Sequence, residues 1–587
     1  MWTKELCCYA FNFLNIPDKQ RELAQFIDRL NIFTFKEEQT VYRVKKFGYP
    51  NVPEAVRPVF PLRYRYDADS EFTRMGILGN KLFRKTLINS TYARIPTYSA
   101  VLFVPSGASE QTLLGSISFR SKGRIPALSW RAPWAEQKER EPVMFRASQP
   151  AVGLRNARSV EDEMLIGSYV HVSPVNQRKE GKSVHGAHLV IADCRPKLNA
   201  LGNKAKGFGT EDVSNYPGCS LSYLGIANIH TVRNSLHSLR IHHTHYNLSP
   251  QGVWTNEELY AMNPVQNPTL WAKLASHSWY MHLASVLTGA VETVLAMRVY
   301  KQSVFVHCSD GWDRTAQICS LAQLLMDPYF RTLEGFCCLI EKEWCNFGHK
   351  FAERTGSAPQ HRENFRDKER SPIFLQFIDA CYQIITQFPT DFEYNPRFLL
   401  ELLDEVHNNR FRTFVADCEK TRTEQNFGDE KEDEQHVPSV WAYLLHPRVR
   451  PYLTNPLYAP KEVEHGLHWF RATAKLETHV QEESSLGEAE LERIDTTGSV
   501  DEMFDGPRRN STSLLANTDP NAVPAAATTD SSVQGGSIRI IARDEKASVC
   551  ICTQTIIITR HIWPLGVLGL LGLLGLLGSF PETKPPR

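Results

Sequence analysis

Apolar positions in this chain recur with two periods. In residues 7–35 a hydrophobic run, CCYAFNFLNI, precedes a stretch with Leu23, Phe26, Ile27 and Leu30 at helical spacing, which predicts one strand and one amphipathic helix. Two such elements cannot bury their apolar faces alone, so they are expected to dock on a larger body. From about 60 to 460 short β-rich runs (SAVLFVP, HLVIAD, SVFVHC) alternate with helical stretches and no low-complexity segment intervenes, which predicts a single α/β domain. Near its middle, HLASVLTGAVETVLAMRVYK places Leu283, Val286, Leu287, Ala290, Val291, Val294 and Leu295 on one face of a helix expected to lie against the sheet.

Beyond this domain the periodicity fades. Residues 481–548 turn to Glu, Ser, Thr, Asp, Gly, Asn and Ala, too polar to offset the entropy of ordering them, so 461–548 is expected to be a disordered linker. In the last segment, 549–587, VCICTQTIIIT reads as a strand and WPLGVLGLLGLLGLLGSF is an uncharged run of 18 residues. As a helix that run would be about 27 Å long, close to the hydrocarbon core of a bilayer. Glycine at every third position opposes helix formation, so the tail is either a membrane anchor or a low-complexity end.

Composition narrows the classes. With 587 residues the chain exceeds the size at which one core stops growing, and 42% hydrophobic with 22% charged residues describes a globular protein. Sixty-six basic against 65 acidic side chains leave a formal charge of +1, so no global field points to nucleic acid and any anion site must be local. The 13 cysteines are scattered, odd in number and free of CxxC pairs, which suits buried thiols in a reducing compartment and offers no start for a zinc cage. The N-terminus shows no basic region followed by a small-residue cleavage site, so a cytoplasmic catalytic part is expected.

The chemistry concentrates in VFVHCSDGWDRT, residues 304–315. A β-branched and aromatic run ends at Cys308, a glycine-containing loop follows, and an apolar-periodic helix begins near Arg314. In a strand–loop–helix of this kind backbone N–H groups converge on one point and the helix adds its positive end, a cradle for a phosphate dianion made by Ser309, Asp310, Gly311 and Trp312. The same field favours the thiolate of Cys308, which can attack phosphorus in line. Arg314 offers a planar fork to two equatorial oxygens. His307 and Thr315 are expected to support the loop, Thr315 by donating to sulfur when it leaves. The departing alkoxide needs a proton, for which Asp313 is the first choice and Asp310 the second.

The run HCSDGWDRT resembles the active-site signature of the myotubularin-related 3-phosphoinositide phosphatases. FRSKGRIPALSW (119–130), ASQPAVG (147–153), DCRPKLNALGNKAKGFG (193–209), GIANIHTVRNSL (225–236) and EKEWCNFGHKFAER (341–354) agree with that family in the same order, and the wording is similar to the subgroup of related proteins six, seven and eight. The resemblance implies a cysteine-phosphatase-like α/β sheet flanked by helices. It also implies hydrolysis of the D3 phosphate of phosphatidylinositol 3-phosphate and 3,5-bisphosphate, through a cysteinyl-phosphate and without a metal or other cofactor. Asn203, Asn228 and Ile229 match positions lining the family's substrate pocket, and Lys350 and Arg354, four apart in an expected helix, match the face near a second phosphate. The family opens with a PH-GRAM module, of which only a terminal strand and helix are expected, within 1–59, so the chain reads as starting inside that module. Partners implied are the two lipids, a membrane surface, endosomal or another internal one, and a homo- or hetero-dimer with relatives, although 481–548 shows no sustained heptads. Two other functions fit the motif: a catalytically weak adaptor that binds 3-phosphoinositides, and a protein tyrosine phosphatase. Retention of both Cys308 and Arg314 speaks against the first, and two aspartates inside the loop against the second.

Overall fold

SVFVHC forms the middle strand of a five-stranded sheet. The computed structural model describes residues 52, 54–56, 66–134, 140–174, 188–245, 277–357, 369–425 and 437–460, together with the backbone of 550–552 and 555–557. Strands β1 (Phe83–Thr86) and β2 (Leu102–Pro105) pair antiparallel as a separate ribbon, so the SAVLFVP strand stands outside the main sheet. The main sheet contains β3 (Ala127–Arg131), β4 (Val143–Ser148), β5 (Leu189–Asp193), β6 (Cys219–Tyr223) and β7 (Ser303–Cys308) in the spatial order β3-β4-β7-β5-β6. Only the β3–β4 pair is antiparallel; β4–β7, β5–β7 and β5–β6 are parallel. Every residue of β7 is buried, which is why its sequence is an apolar run rather than an alternation.

Register brings the ends of three strands together: Ser148 lies opposite Cys308, and Asp193 opposite His307. The last strand of this sheet in sequence is thus inserted between two earlier ones, and the carboxyl ends of parallel strands are the usual ligand position in such sheets. Helices α1 (Glu110–Phe119) and α2 (Val160–Val172) pack on each other, and Tyr169 of α2 stacks on Phe145, which stacks in turn on Phe305 at 4.8 Å between centroids.

After α3 (Ile229–His245) come α4 (Ser278–Arg298), the expected sheet-packing helix, and α5 (Arg314–Met326). In α4 the fully buried stripe is Leu283, Val286, Ala290 and Val294 with Gly289, Thr293 and Met297, whereas Leu287, Val291 and Leu295 sit at its half-buried margin. A side chain at Gly289 would come within 3.2 Å of Ile318 in α5, so glycine sets how closely the two helices cross. By length and composition α4 alone among the described helices could span a bilayer, yet it packs on α5 and β7, as a core helix does.

Two units separate along the chain, Met1–Gly466 with Ile558–Arg587, and Leu467–Ile557. In the second, two short strands stand where one was expected: β8 (Cys550–Cys552) pairs antiparallel with β9 (Thr555–Ile557). The PH-GRAM remnant, the linker and the glycine-leucine run lie outside the described residues.

Candidate active site

The segment after β7 folds back over its own cysteine. Gly311 adopts φ +77°, and its N–H donates to Cys308 Sγ at 3.3 Å. A Cβ on this residue would lie 2.2 Å from the Ala147 carbonyl oxygen, so glycine is required both by the backbone angle and by the approach to β4. Helix α5 starts at Arg314, five residues after Ser309. The guanidinium returns to that side of the loop, with Nη2 3.3 Å from Ser309 Oγ and Nη1 3.3 Å from the Ile226 carbonyl oxygen. Cys308, Gly311, Trp312, Asp313 and Arg314 are buried, whereas Ser309 and Asp310 are half-buried and Asp310 accepts a hydrogen bond from Ser121 at 2.9 Å.

Beneath the loop two fully buried arginines hold one carbonyl. Arg124 Nη2 and Arg146 Nη2 donate to Gly311 O at 3.0 and 2.6 Å. In a trans peptide C=O and N–H point opposite ways, so anchoring that oxygen turns the Trp312 N–H away from the arginines. Arg124 also holds the Phe347 and Thr97 carbonyls and stacks over Tyr98, and burial pulls its pKa down to about 10. Arg146 is compensated by Glu343 at 2.7 Å, a carboxylate that also receives Ser129 and Gln323. Glu343→Ala would leave Arg146 as an unpaired buried charge, a loss expected to cost about 3–5 kcal/mol. Urea unfolding followed by tryptophan fluorescence checks this; a midpoint equal to that of the unaltered chain would mean that Arg146 is held by its carbonyl contacts alone.

His307, expected to support the loop, is fully buried in β7. Its Nδ1 lies 3.4 Å from the Cys308 carbonyl and its Nε2 3.0 Å from Glu211. Arg120 joins Glu211 to Asp162 and donates to the Ser148 carbonyl. Burial pushes the Glu211 carboxyl up, but His307 and Arg120 outweigh it and hold it well below the usual range.

Asp313 differs from expectation. Arg354 grips it with two hydrogen bonds, Nε–Oδ1 3.1 Å and Nη2–Oδ2 3.0 Å. His349 Nδ1 lies 2.9 Å from the Trp312 carbonyl and 3.2 Å from Asp313 Oδ1; facing two acceptors, that nitrogen carries the proton. Burial pushes Asp313 up, but Arg354 and His349 prevail and hold the carboxyl well below the carboxylate range. In this geometry the carboxylate is the partner of Arg354 and His349.

Lys350 and Arg354 do not form one open basic face. The helix there is short, Phe351–Thr355, with Lys350 as its N-cap; the Lys350 carbonyl accepts from the Arg354 N–H at 2.8 Å, so the helical spacing holds, but the two side chains go to different partners. Lys350 Nζ contacts Glu353 at 2.6 Å and lies 4.8 Å over the Trp312 ring, while Arg354 faces Asp313, Glu353 and Glu369.

Asn203 reaches the loop through one intermediary. Its Nδ2 donates to Gln149 Oε1 at 3.3 Å, Arg195 donates to the same oxygen, and the Gln149 N–H donates to the Ser309 carbonyl. Asn228 caps α3 by accepting from the N–H groups of His230 and Thr231 at 3.0 Å, which is a structural task. The Ile229 carbonyl accepts from Ser371, and Arg314 bonds Ile226 just upstream. Thr315 is fully buried and its hydroxyl has no hydrogen-bond partner among the described residues.

The sequence reading passed over Arg124, Arg146, Gln149, Glu211, Glu343 and His349. Contacts such as those of Arg124 with Gly311 and Arg146 with Glu343 span 187 and 197 residues of chain; Arg124, Gln149, Glu343 and His349 lie in stretches quoted for resemblance, and Arg146 and Glu211 carried no signal.

The model of the myotubularin-like phosphatase domain matches residues 53–423, more than half of the chain. The chain belongs to that family. It is 39% identical over 415 residues to a protein named "Myotubularin" from Xenopus laevis, covering 71% of this chain and 61% of the relative. It is 36% identical to the human "Phosphatidylinositol-3,5-bisphosphate 3-phosphatase MTMR6", covering 67% of this chain and 56% of that protein. Against "Phosphatidylinositol-3,5-bisphosphate 3-phosphatase mtm-1" from Caenorhabditis elegans the identity is 39%, over 67% of this chain and 60% of the relative. The chain therefore spans less than two thirds of the length of these curated relatives. This myotubularin-family chain carries Cys308, Arg314 and the five-residue loop between them.

Proposed function

We propose that this protein is a phosphoinositide 3-phosphatase that removes the D3 phosphate of phosphatidylinositol 3-phosphate and phosphatidylinositol 3,5-bisphosphate. The observation that carries the reading is Cys308 Sγ receiving the Gly311 N–H inside a loop that closes on Arg314. The attacking species in such chemistry is a thiolate. Its lone pair attacks phosphorus, the bond to the inositol oxygen breaks, and the phosphoryl group is carried on sulfur until water takes it. The amides of the loop and the Arg314 fork stabilise the equatorial oxygens as charge develops. Thr315, with its unpartnered buried hydroxyl, suits donation to the sulfur when it leaves. The names of the human and Caenorhabditis elegans relatives, which give phosphatidylinositol 3,5-bisphosphate and its 3-phosphate, support this lipid class and ring position. A substrate of this kind places the enzyme at the surface of an endosomal or other internal membrane, as a monomer or dimer.

The proton for the inositol alkoxide is assigned to Asp310, because Asp313 is occupied by Arg354 and His349. Purified full-length protein is expected to release phosphate from short-chain phosphatidylinositol 3-phosphate. Asp310→Asn is expected to lower kcat on that lipid by about 10²-fold. The same variant should act nearly normally on an aryl phosphate, whose leaving group needs no proton. Asp313→Asn, acting through Arg354, should affect both substrates alike. A loss confined to the lipid in Asp313→Asn would return the donor role to Asp313. Absence of release from either lipid would favour the adaptor.

A further inference from the structure

The thiol of Cys194 has no part in the reaction proposed above, yet the sheet sets it beside the nucleophile. Strands β5 and β7 run parallel with Asp193 opposite His307, and the ladder continues one step, the Cys194 N–H donating to the His307 carbonyl at 2.8 Å. In a parallel pair that bond puts Cys194 opposite Cys308. Opposite residues on neighbouring strands stand about 4.8 Å apart and send their side chains to the same face. That separation lies within the range of about 4.4–6.8 Å between Cα atoms that a disulfide bridges. Both thiols are free, and the two are 0% and 2% exposed. Burial, then the neighbouring Cys308, pushes the Cys194 thiol well above its ordinary value.

We infer that Cys194 is the resolving thiol for reversible oxidation of Cys308. The oxidant is a hydroperoxide. The Cys308 thiolate gives an electron pair to the peroxide, an S–O bond forms, the O–O bond breaks and hydroxide or alkoxide leaves, producing a sulfenic acid. The Cys194 sulfur then attacks that sulfur. An S–S bond forms, the S–O bond breaks, and the Cys194 proton departs with the hydroxyl group as water. Two electrons have passed from two thiols to one peroxide, and a dithiol reverses the change. A disulfide here holds Cys308 off the irreversible sulfinic and sulfonic steps. The inference rests on the thiolate reading of Cys308, but its readout is a covalent bond and not turnover.

Full-length protein is exposed to a small excess of hydrogen peroxide, alkylated with N-ethylmaleimide, digested without reductant and examined by mass spectrometry. The expected product joins the Cys194 and Cys308 peptides with loss of both thiol hydrogens, and dithiothreitol restores phosphate release to within about twofold of the untreated enzyme. Cys194→Ala and Cys194→Ser should start with unchanged activity and be inactivated at the same rate, then recover at least about tenfold less as Cys308 passes to sulfinic acid. Cys308 found as sulfinic acid, or joined to a different cysteine, with Cys194 alkylated in the unaltered chain overturns the inference. A chain that forms the linkage but releases no phosphate from lipid supports it and removes the proposed function instead.

Discussion

Cys308→Ser is expected to bring phosphate release down to background, a fall of at least about 10⁴-fold in kcat, with the fold unchanged. The argument combines position with chemistry. Cys308 ends a fully buried parallel strand, and its sulfur receives the Gly311 N–H at 3.3 Å. A hydroxyl in that place keeps its hydrogen-bond partner and nearly the same volume, so the loop keeps its shape. A serine hydroxyl, however, holds its proton at neutral pH and is a far weaker nucleophile toward phosphorus. No neighbouring base is placed to correct this, since His307 Nδ1 faces the Cys308 carbonyl and Nε2 faces Glu211. The two effects separate experimentally. Circular dichroism and the unfolding midpoint should be those of the unaltered protein, and binding of a short-chain 3-phosphoinositide by calorimetry should persist. Measurable single-turnover release by Cys308→Ser would mean that another group attacks phosphorus.

Arg314→Lys is expected to lower kcat by about 10²–10³-fold with a smaller change in KM. Arg314 is the first residue of α5, and its guanidinium spans the Ile226 carbonyl and Ser309 Oγ, one nitrogen to each side. Such a planar fork can meet two phosphate oxygens at once, and it gains most in the transition state, where charge collects on the equatorial oxygens. A lysine ammonium keeps the charge as a single point and loses the second contact. Ground-state attraction therefore survives and the differential stabilisation does not, which gives the split between kcat and KM. Near-normal turnover by Arg314→Lys would show that the cradle depends on charge alone, and equal losses in KM and kcat would assign Arg314 to binding.

Local pattern carried a good part of this site. The run VFVHC reads as a buried strand because parallel central strands are apolar throughout, and it is β7; the turn at Gly311 and the start of a helix at Arg314 follow from residue chemistry within a dozen positions. Other residues have contacts that the sequence reading did not give them. Asp313 was read as a proton donor because its neighbours in sequence allow it, and Arg354, 41 residues on, grips its carboxylate with two hydrogen bonds. Asn228 was read as a pocket residue, and the start of α3 uses its carbonyl as a cap. Leu287, Val291 and Leu295 belong to the correct helix but to its half-buried margin, since α5 crosses α4 at Gly289 and sets which side faces inward.

Residue order in VHCSDGWDRT therefore determines a thiol, an amide loop and a guanidinium at fixed short spacing, because backbone angles and helix starts depend on near neighbours. The partners of that loop came from strand order and helix packing. Arg124 and Arg146 reach Gly311 across 187 and 165 residues, Glu343 reaches Arg146 across 197, and β5 beside β7 sets Cys194 against Cys308. Such pairings depend on which strand is inserted next to which, and hydrophobic periodicity within one segment holds no record of its neighbours in space.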